Sequence, residues 1–237
     1  MSAATQHQTP TDARRAASLI LVRDRVVDGA PVLELLMLRR AEREGDQRSG
    51  VAVFPGGVLD PRDHQAHGLV HGADDPAMSL RLGLPAGGLD YAIAAVRETF
   101  EEVGLLLAFG HDGQRVTPAR AAALAPWRDR LQANAASMLD LCQAESLTLD
   151  LGGLHYFSHW LTPPGTPKRF DTRFFMAQAP AGQVAQADLG EAVELMWLTP
   201  QAALDPARGL KLLPVTQCTL MVLASCDATP VLPPPPR

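Results

Sequence analysis

The run "AAVRETFEEVG", residues 94–104, constrains the fold of this chain more than any other stretch. It places Glu98, Glu101 and Glu102 close together among apolar neighbours. At about 100° per residue in a helix, these three carboxylates fall on one face. The opposite face carries apolar side chains at helical spacing, namely Ile93, Val96, Phe100 and Val103. The run therefore predicts an amphipathic helix with a buried apolar stripe and a carboxylate patch.

The carboxylate patch needs a counter-charge. Like charges three and four residues apart on a helix repel by about a few tenths of a kcal/mol per pair. Arg97 can neutralise one carboxylate, but the patch stays acidic. Mg²⁺ and Mn²⁺ prefer oxygen ligands and usually keep waters and substrate phosphates in their coordination shell. The patch is therefore either a divalent-metal site or a solvated acidic face, and a second motif has to decide between these.

The second motif lies upstream, in "GVAVFPGGVLD", residues 50–60. It reads as a strand that stops at a Phe-Pro-Gly-Gly turn, where the backbone can approach a ligand closely. Taken with this turn, the run "RETFEEVGL" resembles the signature of the Nudix hydrolases. The matching residues are Gly57, Arg97, Glu98, Glu101, Glu102, Gly104 and Leu105. Thr99 stands where the signature has an aliphatic residue.

The signature is split in this chain. Arg97 follows Gly57 by 40 positions, whereas the resemblance implies 14, so about 26 residues are inserted. Counted from Gly57, the signature's first glutamate falls on Asp63. Counted back from Arg97, it falls on Leu89, with Asp90 beside it. The sequence leaves open which of these acidic residues replaces that glutamate.

The split box is similar to one branch of the family, which includes the animal peroxisomal acyl-coenzyme A diphosphatases. The later segments "RFDTRFF" (169–175) and "ELMWLTPQAAL" (194–204) also resemble that branch. Strand-like and helical patterns alternate along the chain, which is typical of an α/β protein. The resemblance implies an α/β/α sandwich with a mixed sheet and an insertion inside the Nudix box.

The predicted organisation is one domain with polar ends. A chain of 237 residues with 46% apolar content can bury a full core in one domain. The predicted parts are a disordered segment (1–15), the Nudix domain (16–226) and a Pro-rich tail (227–237). Inside the domain we expect the box insert at about 61–88 and an extra helical region at about 117–145, broken at Pro126.

The resemblance implies roles for individual residues. The metal ligands would be Glu98, Glu101 and Glu102 with the Gly57 carbonyl, and Arg97 would orient a box carboxylate. Glu98 ranks ahead of the later acidic residues Glu191 and Glu194 as general base. Arg39, Arg169 and Arg173 are candidate substrate contacts, because the planar guanidinium suits phosphate.

The expected reaction is metal-dependent hydrolysis of a diphosphate linkage. Coenzyme A or acyl-coenzyme A is the favoured substrate class, giving adenosine 3′,5′-bisphosphate and a phosphopantetheine fragment. An upstream pattern of coenzyme A-cleaving relatives is matched only in part, by "LLMLR" and by the spacing from Gly50 to Gly57. ADP-ribose or another nucleoside diphosphate derivative is the alternative substrate. A non-catalytic domain that senses a nucleotide is the alternative of a different class.

Composition excludes some partners. A net charge of −5 and a pI near 5.8 disfavour nucleic acid, and the longest early apolar run, residues 16–22, is too short to span a bilayer. Three cysteines without CxxC spacing indicate reduced thiols in a cytoplasmic protein. Many family members dimerise, so a homodimer is one expectation. Histidines 64, 67 and 71 in the insert indicate either a transition-metal site or, as the favoured interpretation, a mobile polar loop.

Overall fold

The computed structural model describes residues 12–42, 49–188 and 192–225. The strands are β1 (Ala13–Val27), β2 (Ala30–Arg40), β3 (Val51–Val53), β4 (Gly56–Val58), β5 (Val70–His71), β6 (Ala108–Phe109), β7 (Thr148–Asp150), β8 (His155–Leu161), β9 (Arg169–Gln178), β10 (Ala192–Leu198) and β11 (Lys211–Leu212). The α-helices are α1 (Asp75–Leu82), α2 (Gly88–Val103), α3 (Pro118–Ala123), α4 (Ala125–Gln132), α5 (Met138–Glu145), α6 (Pro200–Leu204) and α7 (Pro214–Ala224). Two 3₁₀ helices cover Asp63–Leu69 and Pro206–Arg208.

The main sheet is mixed and is built around β1. β1 pairs antiparallel with β2 through a hairpin turn at Asp28-Gly29, and antiparallel with β4. On its other edge β1 pairs in parallel with β9, which continues to β8. β2 also pairs with β3 and β10, and β11 extends the sheet beyond β3. This arrangement places the short strand β4 directly beside the middle of the sheet.

Helices cover both faces of this sheet. Side chains alternate along β1, so that Leu19 and Leu21 join the core under α2, while Ile20 and Val22 join a second core with Leu220 of α7. The three layers are therefore helix, sheet and helix, and the predicted α/β/α sandwich with a mixed sheet is confirmed. No helix in the described ranges is long and apolar enough to cross a membrane.

The box insert is an ordered part of the domain. Its 3₁₀ helix and α1 pack against α2, and β5 joins β7 and β6 in a separate three-stranded sheet. Asp75 at the start of α1 accepts hydrogen bonds from the amides of Gly87 (3.0 Å) and Leu89 (2.9 Å). The insert is therefore tied to the first turn of α2.

One detail differs from the sequence expectations. β1 begins at Ala13, inside the segment expected to be disordered, because its first residues pair with β9; residues 1–11 and the Pro-rich tail lie outside the described residues. The helical region 117–145 is present as three helices, and it is interrupted beside Pro126, since α3 ends at Ala123 and Pro126 lies in the first turn of α4. The apolar run 105–109 forms a strand only over its last two residues, β6, because only these pair with β7.

Candidate active site

The carboxylates lie at the carboxyl end of α2, and that end is fixed from outside the helix. Gly104 ends the helix in the left-handed region, with φ of 71°. The Glu101 carbonyl accepts hydrogen bonds from Arg128 (3.0 and 3.1 Å) and Gln132 (3.0 Å). The carbonyls of Glu102 and Val103 accept bonds from backbone amides of residues 188 and 186. Because the free carbonyls of the last turn have partners, this turn holds its side chains in place.

The Phe-Pro-Gly-Gly turn meets these carboxylates. The Pro55 carbonyl accepts hydrogen bonds from the Leu19 amide (2.9 Å) and the Ser18 hydroxyl (2.8 Å), which fasten the turn to β1. The Gly56 amide donates to Glu102 at 2.9 Å. A β-carbon at Gly57 would overlap the carboxylate of Glu98. Glycine therefore allows the helix side chain to approach the strand backbone closely at this point.

Arg97 links the carboxylates to the insert. Its Nη1 donates to Glu98 (2.8 Å) and Glu101 (3.0 Å), and its Nε and Nη2 donate to Asp63 (2.8 and 3.3 Å). Nη2 also donates to the Val58 carbonyl at 2.8 Å. Asp63 is only 1% exposed and contacts Arg97 from outside α2. Of the acidic positions that the spacing left open, Asp63 is the one that meets the box arginine.

The carboxylates are more buried than an amphipathic surface helix would have them. Glu101 and Glu102 are 7% and 6% exposed, which does not fit the alternative of a solvated acidic face. Thr99 is also buried where the signature has an aliphatic residue, and its hydroxyl donates to the Ala95 carbonyl at 2.7 Å. That bond within the helix removes the cost of an unpaired buried hydroxyl.

Burial changes how the charged groups titrate. It raises the pKa of Glu98 to about 7, against the opposing effect of Arg97. Burial likewise raises the pKa values of Glu101 and Asp63 above their ordinary range, again opposed by Arg97. Burial alone would lower the pKa of Arg97, but Glu98 and Asp63 outweigh it and raise that pKa. The site therefore holds several carboxylates around one guanidinium, and a further cation would stabilise their charged forms.

A cleft of about 540 Å³ opens over this cluster. Its walls include Glu98, Glu101 and Arg97 together with Arg14 and Arg62. Arg62 is held by Asp60 and donates to the Asn134 side chain at 2.9 Å. The carboxylates of this cleft suit a cation, and the more exposed Arg14 and Arg62 suit an anion. The cleft therefore suits an anionic ligand that binds together with a metal ion.

The residues present fit a divalent metal ion such as Mg²⁺ or Mn²⁺. The donors are all oxygen, the ligand type that these ions select. The Glu98 carboxylate occupies the space where a Gly57 side chain would lie, so the backbone and carboxylate come together at this point. The Gly57 carbonyl, Glu98, Glu101 and Glu102 are the groups that would hold the ion.

Other predicted residues lie away from this cleft. Arg39 forms an ion pair with Glu194 at 3.0 Å, and both line a second cleft of about 590 Å³. Arg169 pairs with Asp12 and donates to the Thr162 carbonyl at 3.0 Å. Their roles as substrate contacts, and that of Glu194 as a base, stay predictions. Glu191 lies outside the described residues.

Arg173 is buried under α2. It is 1% exposed, its guanidinium carbon lies 5.9 Å from the centre of the Tyr91 ring, and its Nε and Nη2 have no hydrogen-bond partner among the described residues. A phosphate contact at Arg173 stays a prediction that requires the guanidinium to become accessible.

Sequence reasoning did not include two cleft residues. Arg62 lies beside Asp63 in the insert, so its neighbour at the first-glutamate spacing was the available signal. Arg14 carries no local signal, because nothing nearby in the sequence indicates that β1 begins so early. The pairing of β1 with β4 and β9 brings Arg14 to the cleft wall.

Comparison with known proteins supports the relationship that the site suggests. The chain is 33% identical over 240 residues to the human protein named "Acyl-coenzyme A diphosphatase NUDT19", covering 83% of this chain and 64% of that protein. A Gallus gallus protein of the same name is also 33% identical, covering 73% of this chain and 55% of its own length. The chain thus spans somewhat less than two thirds of these curated relatives.

A solved structure extends the agreement to the fold. The crystal structure of a NUDIX hydrolase from Alicyclobacillus acidocaldarius is 29% identical, covers 92% of this chain and 94% of its own, and superposes with a TM-score of 0.67. A family profile described as the NUDT19 Nudix domain matches residues 79–212, more than half of the chain. The chain therefore belongs to the NUDT19 Nudix domain family.

Proposed function

We propose that this protein is a metal-dependent diphosphatase that hydrolyses coenzyme A or acyl-coenzyme A. The observation that carries the proposal is the cluster of Glu98 and Glu101 on Arg97 with the buried Glu102 beside them, set against the Gly56-Gly57 backbone in a cleft that Arg14 and Arg62 also line. The curated relatives named acyl-coenzyme A diphosphatases support the substrate class. The products would be adenosine 3′,5′-bisphosphate and a phosphopantetheine fragment.

The chemistry follows from the charge of the substrate. A diphosphate resists attack because its oxygens repel an incoming hydroxide, and bound divalent cations neutralise that charge and activate water. The three glutamates and the Gly57 carbonyl would hold the cations. Arg97 keeps two of these carboxylates oriented by charge-assisted hydrogen bonds.

Glu98 is the proposed general base. Without a bound cation, burial raises its pKa to about 7, and a cation held by the cluster would keep the carboxylate in the charged form that can accept a proton from water. A carboxylate oxygen of Glu98 would accept that proton. Arg14 and Arg62 at the cleft rim would attract the anionic substrate.

The cellular setting belongs to the same proposal. Cys142 is a buried free thiol, and burial raises its pKa to about 12, so it is an unreactive structural cysteine. This fits the expected reducing, cytoplasmic location. The free small-molecule substrate is the expected partner, and a homodimer stays a prediction.

Product analysis by mass spectrometry tests the proposal. The purified chain, with Mg²⁺ or Mn²⁺, is offered coenzyme A, acyl-coenzyme A, ADP-ribose, NADH and diadenosine polyphosphates. We expect adenosine 3′,5′-bisphosphate to be released faster than the products of the other compounds. Its release should stop when a chelator removes the metal ion. Preference for ADP-ribose or NADH would keep the metal site but overturn the substrate class. Nucleotide binding without turnover of any compound would favour a sensor over an enzyme.

A further inference from the structure

A second group of ligand-type side chains lies in the box insert, away from the carboxylate cluster. His64 and His67 are three residues apart in the 3₁₀ helix Asp63–Leu69. Side chains at this spacing eclipse one another in a 3₁₀ helix, because it has three residues per turn. Their ring centroids are accordingly 4.2 Å apart. Both imidazoles therefore project in the same direction.

Both rings point at a single carboxylate oxygen. Asp90, in the first turn of α2, places its Oδ1 at 2.7 Å from Nε2 of His67 and 3.3 Å from Nδ1 of His64. The three ligand atoms all lie within 4.8 Å of one another. Two ring nitrogens and one carboxylate oxygen thus lie close enough that rotation of the side chains would let them share one ion.

The type of ion follows from the donors. Two imidazoles and a carboxylate are a ligand set used by Zn²⁺ and by other divalent first-row transition ions, whereas Mg²⁺ prefers oxygen alone. Zn²⁺ bonds to these donors at about 2.0–2.2 Å, so ligand atoms about 3–3.5 Å apart can share one ion. His64 has a side chain that is 70% exposed, so water can fill the remaining coordination positions.

We propose that His64, His67 and Asp90 form a binding site for a divalent transition-metal ion, with Zn²⁺ as the best-suited probe. This site is separate from the carboxylate cluster, since Asp90 precedes Glu98 by eight residues, or about 12 Å along α2. The proposal does not depend on the proposed function.

The ion would join the insert to α2. His64 follows Asp63, which holds Arg97 at the carboxylate cluster, and Asp75 already ties α1 to the same end of α2. A bound ion would add a third connection between the insert and this helix. The expected role is structural: it stabilises the element that positions Asp63.

His71 does not belong to the site, although the sequence grouped it with the other two histidines. It lies on β5 and packs edge-on against Phe109, with ring centroids 5.1 Å apart. The expectation of a mobile loop is also wrong for this part of the insert, because both histidines lie in an ordered 3₁₀ helix packed on α2. His71→Gln is therefore a matched control for His64→Gln.

The test measures Zn²⁺ binding to the full chain without an added histidine tag, in excess Mg²⁺ so that the carboxylate cluster is occupied. Isothermal titration gives stoichiometry and affinity, and thermal unfolding gives the change in Tm. We expect one equivalent of Zn²⁺ and a higher Tm. His64→Gln should weaken binding by more than the roughly 10- to 100-fold that follows loss of an outer-shell partner. Because His64 is exposed, this substitution leaves folding intact.

Three further variants locate the ion. His71→Gln and Glu102→Gln should bind Zn²⁺ as the wild type does, while Asp90→Asn should bind it as weakly as His64→Gln. Absence of Zn²⁺ binding by the wild type would overturn the proposal. So would unchanged binding by His64→Gln, or loss of binding in Glu102→Gln alone. Co²⁺ absorption in the visible range gives an independent readout of imidazole ligation.

Discussion

Gly57 lies where β4 comes close to a side chain of α2, so substitution by alanine tests how much this close contact matters. A β-carbon there would overlap the Glu98 carboxylate, which is the flexible end of a side chain. We therefore expect Gly57→Ala to fold but to displace Glu98, and a misplacement of about 1 Å can cost roughly 100-fold in rate. Steady-state turnover of coenzyme A and thermal unfolding measure the two effects.

Gly153→Ala is the matched control for this substitution, since nothing lies within 4 Å of a β-carbon built there. It should keep wild-type turnover. Wild-type turnover in Gly57→Ala as well would mean that the position of Glu98 does not matter to the reaction.

Asp63 connects the insert to the box helix through its hydrogen bonds with Arg97. Asp63→Asn keeps the shape but removes a charge that contacts Arg97 twice. Breaking a buried pair costs about 3–5 kcal/mol, but Arg97 keeps Glu98 and Glu101, so we expect about 1–3 kcal/mol. Urea unfolding measures this loss, and turnover should fall with it because Arg97 is less constrained.

The exposed turn residue Asp28 gives the control for Asp63. Its φ of 50° is in the left-handed region, which asparagine tolerates, so Asp28→Asn should be neutral. Equal stability of the Asp63 and Asp28 variants would contradict the role given to Asp63.

At the scale of elements, Asp75 joins α1 to α2. Burial alone would raise its pKa, but the amides of Leu89 and Gly87 outweigh that effect, so the pKa is below its ordinary value. A carboxyl with a lowered folded pKa stabilises the fold above its unfolded pKa of about 3.9, and loses that contribution as the pH falls through the folded pKa. Asp75→Asn should therefore cost stability at pH 7 and progressively less below about pH 4.

Denaturant unfolding of wild type and Asp75→Asn at several pH values measures this dependence. Asp129→Asn, on an exposed face of α4, is the comparison and should change little at any pH. A stability difference for Asp75→Asn that stays constant from pH 7 to pH 3 would be inconsistent with the amide contacts as its source.

Elements with strong local signals could be predicted from the sequence. The box helix, the hairpin at Asp28-Gly29 and α1 follow from hydrophobic spacing and turn residues. The start of β1 could not be predicted, because it depends on pairing with β9 about 155 residues later. The break at Pro126 could be predicted, because proline is disfavoured inside a helix and favoured in a first turn, where α4 has it.

On the scale of the whole molecule, β1 brings the distant parts of the site together. Ala17 pairs with Gly57 of β4 on one edge and with Arg173 of β9 on the other. The carboxylates themselves were predictable, because their spacing on one helix is local. Asp63, which shares Arg97 with two of them, was predictable only as one of two acidic candidates, since choosing it requires knowing how the insert packs on α2. Arg14 reaches the cleft through the long-range pairing of β1.

The most direct test of the account compares coenzyme A hydrolysis by wild type and Glu102→Gln in Mg²⁺ and in chelator. Glu102 is 6% exposed, and its carboxylate accepts a hydrogen bond from the backbone amide of Gly56. Glutamine has the same shape and can accept the same bond, but it lacks the charge. Wild type should release adenosine 3′,5′-bisphosphate only with Mg²⁺. Glu102→Gln should be slower by orders of magnitude. Its unfolding curve should resemble that of the control Asp129→Asn, which is expected to be close to wild type. Near-wild-type turnover in a folded Glu102→Gln protein would contradict the claim that these glutamates hold the catalytic metal.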